Sequence, residues 1–222
     1  MAQVLPFYLV CDESASMRGE PINAINHCLP DIHSEIGSNP VVADKTWFCI
    51  IGFSGTARTV LPLADLSAIS VIPAIAYHRG GTNYTAAFEL LYDTIADDVG
   101  RLKANGDQVY RPAVFFLSDG RPNDKKWLVP HQRVTDPGWP MHPNILAFGF
   151  GKAQPATLQH VATVRAFIAD KGMGPGTALR EFATSLIQSI VTSGSRPASG
   201  GGLTLAVPDS VPGFTALPAD PI

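Results

Sequence analysis

The order of apolar and polar positions divides the chain into two kinds of segment. Some short runs are hydrophobic throughout, and in longer stretches apolar residues return every three or four positions. PFYLVC (6–11), WFCIIGF (47–53), AVFFLS (113–118) and ILAFGF (145–150) are of the first kind. Continuous hydrophobicity is what a central strand of a parallel sheet requires, because helices cover both of its faces. VRAFIA (164–169) is a shorter run of the same sort, expected as a strand near an edge. ARTVLPL (57–63) follows the second strand after only Ser54, Gly55 and Thr56. That connection fits a hairpin, whereas a parallel crossover needs roughly a dozen residues or more. The run is therefore expected to be antiparallel, and Pro62, which cannot donate to a ladder, suits an edge.

The second kind of segment fills the gaps. Residues 20–37 carry Ile22, Ile25, Leu29, Ile32 and Ile36 at helical spacing. Residues 84–104 carry Ala87, Leu91, Ile95 and Leu102 behind Asn83, an expected N-cap. Residues 177–192 carry Leu179, Phe182, Leu186 and Ile190, and 155–163 is a weaker helical stretch. Pro130, Pro137 and Pro140 limit 124–142 to a short helix and an irregular loop. Alternation of strand and helix predicts an α/β domain with a mostly parallel sheet, doubly wound in three layers. From 195 to 222 the sequence turns to Gly, Pro and Ser, and reads as a flexible tail after a 1–194 domain. Within it, 203–207 or 211–217 could form a short docking motif.

Composition narrows the class. With 45% hydrophobic and 16% charged residues the chain is globular rather than disordered. Its net charge of −3 comes without a basic stripe, so neither nucleic acid nor a membrane surface is the expected partner. The N-terminus has neither the basic start nor the cleavage site of a signal peptide, and no apolar stretch is long enough to span a bilayer. Cys11, Cys28 and Cys49 are odd in number, lie in apolar contexts and lack CxxC spacing. They read as reduced core thiols, and the expected compartment is the cytoplasm.

Ligand sites of open parallel sheets lie at the carboxyl ends of the strands. There the first strand gives Asp12, Ser14 and Ser16 in the pattern D-x-S-x-S. GGTN, ahead of the long central helix, offers Thr82, and AVFFLS runs into Asp119 of SDGRP. Two carboxylates and three hydroxyls are hard oxygen donors, suited to Mg²⁺ or to Mn²⁺ or Ca²⁺ rather than to soft metals. A cation would also relieve the repulsion between two neighbouring carboxylates. The histidines do not converge, and neither HExxH nor paired CxxC is present for zinc. Met17 reads as core, and Trp127 and Trp139 as pins for the long loop.

DESAS, the threonine of GGTN and the aspartate of SDG together resemble the metal-ion-dependent adhesion site of von Willebrand factor A domains, in order and in interval. The resemblance covers about residues 3–192. It implies a six-stranded sheet of order 3-2-1-4-5-6 with the third strand antiparallel. It also implies a metal held by Asp12, Ser14, Ser16, Thr82 and Asp119, with a position left for an Asp or Glu of a protein partner. Within that family, LPFYLVCDESASMRGEPINAIN and YRPAVFFLSDGRPND look most like bacterial TerY-like proteins of tellurium-resistance and stress loci. Those are associated with a protein kinase and a PP2C-type phosphatase. The sequence departs from the family pattern at Glu13, which adds negative charge beside the site, and at Ala15.

The expected function is thus metal-dependent protein recognition, without catalysis, in a scaffold or regulator of a stress or phospho-signalling system. Two alternatives stand beside it. Asp12 after a first strand is also how aspartyl-phosphate enzymes begin, but those place a second acid two residues on, where this chain has Ser14. The other is an adaptor that binds through its faces without metal.

Overall fold

A computed structural model of the chain describes residues 1–123, 125–195 and 205–218. Its sheet is formed by β1 (Gln3–Asp12), β2 (Thr46–Phe53), β3 (Ala57–Asp65), β4 (Gln108–Val109), β5 (Ala113–Ser118), β6 (Asn144–Gly149), β7 (Arg165–Ala169) and β8 (Phe214–Pro218). The strands lie in the order β3-β2-β1-β5-β6-β7-β8, and β4 pairs with the start of β1. All pairings are parallel except β2 with β3 and β7 with β8. The helices are α1 (Glu20–Gly37), α2 (Pro40–Ala43), α3 (Tyr84–Ala104), α4 (Leu128–Thr135), α5 (Pro155–Val161) and α6 (Pro175–Ser195).

The period-2 geometry of a strand explains the unbroken apolar runs. In β1, Leu5, Phe7, Leu9 and Cys11 face a core built with Ile25, Leu29 and Ile32 of α1 and Leu179, Phe182 and Leu186 of α6. Val4, Tyr8 and Val10 face the opposite core, with Leu91, Ile95 and Val99 of α3, Val134 of α4 and Leu158 of α5. α3 is capped as its sequence demands, the Asn83 side chain accepting from the Ala86 N–H at 3.2 Å. The three thiols are free and buried. Trp127 is buried against Tyr84, Phe88 and His131, and Trp139 stacks on Tyr92 at 4.3 Å, so both fasten the loop after β5.

Two expectations need correction. The sheet is eight-stranded and mixed, not six-stranded: β4 is a two-residue addition and β8 comes from the segment read as tail. β7 is therefore interior, flanked by β6 and β8, rather than close to an edge. The flexible tail expected over 195–222 is, across 205–218, docked on the domain. The Ala206 N–H donates to Ser193 Oγ at 2.8 Å, the Asp170 N–H donates to Gly213 O at 2.8 Å, and Val211 and Phe214 are buried. The rest of that expectation, at 196–204 and 219–222, lies outside the described residues. No helix among the described residues is long and apolar enough to cross a membrane.

Docking of β8 rests largely on Phe214, whose ring meets Phe148 edge-on at 5.9 Å. Phe214→Ala is expected to lower unfolding free energy by about 2–4 kcal/mol in urea denaturation, as large-to-small changes at buried aromatic positions do. Asp209→Ala removes only a fully exposed partner of Arg165 and should leave the midpoint in place.

Candidate metal centre

β1 and β5 run side by side to their carboxyl ends, with Cys11 opposite Leu117. The next residues, Asp12 and Ser118, are both completely buried. A buried carboxylate must find donors. Asp12 Oδ1 accepts from the Ser14 N–H at 2.9 Å, and Oδ2 accepts from the Ser118 hydroxyl at 2.6 Å. The first of these bonds folds the loop back on itself. A 3₁₀ turn over Ala15–Met17 follows, closed by the Met17 N–H on Ser14 O at 3.0 Å, with the Met17 side chain buried in the core.

That fold puts Ser14 Oγ and Ser16 Oγ 3.3 Å apart. Ser16 Oγ donates to Asp119 Oδ1 at 2.7 Å, and Thr82 Oγ1 stands 3.4 Å from Ser14 Oγ. The five expected residues are thus brought together from three segments. Ser14, Thr82 and Asp119 are buried and Ser16 is exposed, so the cluster opens to solvent on the Ser16 side.

Other residues, not singled out from sequence, position these five. Asn123 clasps Thr82: the Thr82 N–H donates to Asn123 Oδ1 at 2.9 Å, and the Asn123 N–H donates to Thr82 O at 3.0 Å. Gly120 must lack a side chain, since a Cβ there would stand 2.9 Å from Thr82 Oγ1. The Tyr84 side chain is buried beside Ser118, its ring packed on Phe116. The SDGRPN stretch held the only sequence signal for Ser118, Gly120 and Asn123, a polar and glycine-containing run directly after a buried strand.

A profile of the von Willebrand factor type A domain matches residues 7–173. The chain belongs to this family. Solved structures agree on the fold. One is proximal thread matrix protein 1 from the mussel byssus with a zinc-occupied MIDAS motif (14% identity, TM-score 0.57, 86% of this chain and 48% of that one). A second is the pilus adhesin SpaC from Lactobacillus rhamnosus GG in an open conformation (14%, TM-score 0.66, 85% and 30%). A third is the SpRpn10 VWA domain (13%, TM-score 0.55, 83% and 96%). The chain thus spans about half of the byssus protein and under a third of the adhesin. No curated protein sequence matches it. None of these likenesses bears on the narrower TerY-like resemblance.

In this VWA domain the donor set fits a hard cation. Hydroxyl–hydroxyl spacings of 3.3 and 3.4 Å are long for O–H···O hydrogen bonds. They also exceed, by a few tenths of an ångström, the roughly 2.9 Å edge of an octahedron with 2.0–2.1 Å metal–oxygen bonds, so a small inward shift of the hydroxyls would bring them into one coordination shell. Among the described residues no group of three or more His, Cys, Asp and Glu is arranged to hold a metal, so a metal here depends on the hydroxyls. Electrostatics agree. Burial, opposed by the Ser118 and Ser14 hydrogen bonds and reinforced by the Asp119 charge, pushes the Asp12 carboxyl up to about 6. Asp119 is also raised, chiefly by burial, against the Ser16 hydrogen bond and the Lys152 charge.

Glu13 departs from expectation. Its carboxylate turns away from the site and over Gly52, where any Cβ would overlap it. Its Oε1 accepts from Arg58 Nη2 at 2.7 Å. The charge expected beside the metal is therefore neutralised by an ion pair.

Because the folded-state pKa of Asp12 is above its unfolded value, the folded protein binds the extra proton between about pH 4 and 6. Stability from this group is present at low pH and lost as pH rises through 6. In chelator, Asp12→Asn should therefore exceed wild type by up to about 3 kcal/mol at pH 7, the difference closing near pH 4, in urea denaturation across that range.

Proposed function

We propose that this VWA domain binds a divalent cation at Asp12, Ser14, Ser16, Thr82 and Asp119 and recognises protein partners through it. The observation that carries the reading is the convergence of three hydroxyls and two carboxylates on a cluster that opens to solvent beside Ser16. Ser14, Ser16 and Thr82 would hold the ion, with Asp12 and Asp119 supplying charge. The ion supplies a Lewis-acidic position for an Asp or Glu of the partner. The protein's own part is orientation. Asp12 fixes the first loop, Asn123 fixes Thr82, and Ser16 and Asp119 fix one another. An all-oxygen set supports Mg²⁺, Mn²⁺ or Ca²⁺, and zinc, found in the byssus protein's motif, belongs in the same titration.

Binding is favoured over phosphoryl transfer by the state of Asp12. Both carboxylate oxygens accept hydrogen bonds and neither reaches solvent, which is poor preparation for a nucleophile. A cytoplasmic role as scaffold or regulator beside a kinase and a PP2C-type phosphatase is carried by the TerY-like character of 5–26 and 110–124 alone.

Calorimetric titration of Mg²⁺ and Mn²⁺ should give saturable binding with wild type, weakened at least about tenfold by Asp119→Ala in a variant whose circular dichroism is unchanged. Equal binding by both proteins removes the site. Phosphomonoester turnover that vanishes in Asp12→Asn would replace the binding reading with the enzymatic one.

A further inference from the structure

A second charged feature borders the five-residue cluster. Between the β2–β3 turn and the segment leading into Thr82 lies a cleft of about 280 Å³, lined by Glu13, Thr56, Arg58, His78 and Arg79 among others. It adjoins the candidate metal centre through the first loop and the segment that leads into Thr82. Glu13 sits between Asp12 and Ser14, and its carbonyl accepts the His78 N–H at 2.9 Å. The Ala15 N–H reaches Gly80 O at 3.4 Å, tying the first loop to the strip that carries His78, Arg79 and Thr82.

The charges in the cleft do not cancel. Glu13 is almost wholly buried and takes one Arg58 nitrogen, Nη2. Its other carboxylate oxygen is 3.9 Å from His78 Nε2. Arg58 retains further donors: its side chain is 41% exposed, and its Nε is buried with no hydrogen-bond partner among the described residues. An unmet buried donor is costly and is normally answered by a ligand or an ordered group. Arg79 is exposed and has no ion-pair partner among the described residues. Two guanidinium groups against one carboxylate leave the cleft with a surplus positive charge, and the planar fork of arginine is matched to a carboxylate.

We propose that this cleft is a second docking point for the same partner segment, taking an Asp or Glu side chain close in sequence to the one received at the metal. The inference rests on the metal-dependent reading above and specifies its partner: an acidic segment with two carboxylates, not one. Glu13 then has a role that its orientation explains. It holds Arg58 in the cleft rather than adding charge to the metal loop, and Gly52 makes room for it. A single exposed ion pair contributes little, so the added affinity depends on Arg79 and the partly buried Arg58 donating together to one carboxylate.

The probes are blocked synthetic peptides containing one Asp, or two Asp separated by zero to four glycines. They are titrated into the ¹⁵N-labelled full chain in saturating Mg²⁺ and followed by amide chemical shifts. At least one two-Asp peptide should bind about three- to tenfold more tightly than the one-Asp peptide, with shifts at Gly55, Thr56, His78 and Arg79. Arg79→Ala should bring that ratio below about twofold, Arg79→Lys should restore part of it, and Arg79→Glu should invert it. The proposal is overturned if no two-Asp peptide gains affinity, if the cleft amides stay still, or if Arg79→Ala keeps the ratio. Failure of the underlying reading looks different: Mg²⁺ alone then leaves the amides of the 12–16 loop unmoved.

Discussion

The geometry at the top of the sheet follows from one constraint, a carboxylate with no exposure at the end of the central strand. Asp12 sits where β1 leaves the core, and an ion there is tolerated only if its oxygens are met. One is met by the Ser14 N–H, which requires the chain to turn at once and puts Ser14 and Ser16 on one side. The other is met by Ser118, which requires β5 to end at the same height as β1 and delivers Asp119 to the same place. Those bonds lower the burial cost without removing it, because the carboxyl remains raised to about 6. The residual tension is what a cation would relieve.

Neighbouring residues divide into two groups by what they do with charge. Asp12 and Asp119 concentrate negative potential next to three hydroxyls. Glu13, placed between Asp12 and Ser14 in the chain, is turned to the opposite wall and spent on Arg58. Alternate residues of an extended strand point to opposite sides, so adjacent acids serve different sites. The result is two poles of opposite sign that share a backbone.

Much of this was legible in the sequence, for physical reasons. Strands covered on both faces announce themselves as apolar runs, and β5 falls at 113–118 as read. α1 falls at Glu20–Gly37 because its isoleucines repeat at helical spacing. Of the five candidate ligands, Asp12, Ser14, Ser16 and Asp119 stood out because polar residues follow directly on an apolar run, and Thr82 because GGTN precedes a long helical stretch. β8 was not: FTALP is short, lies among Pro and Gly, and is a strand only because β7 has an edge to offer. With β8 hidden, β7 was misplaced toward an edge. Ser118 and Asn123 were missed because a hydrogen-bond partner has no spacing signature. The Glu13 direction was missed because it depends on a missing side chain at Gly52, on another strand.

The contacts that close the cluster join residues far apart in the chain, Ser16 to Asp119 and Ser118 to Asp12, with sequence separations of 103 and 106. Such pairs form only once β1 and β5 have found one another in parallel, a slow, non-local step. An ion thus has nothing to grip in the disordered chain or in an isolated hairpin. A bound ion would act as a latch on a finished sheet, retarding unfolding and leaving the speed of folding nearly untouched.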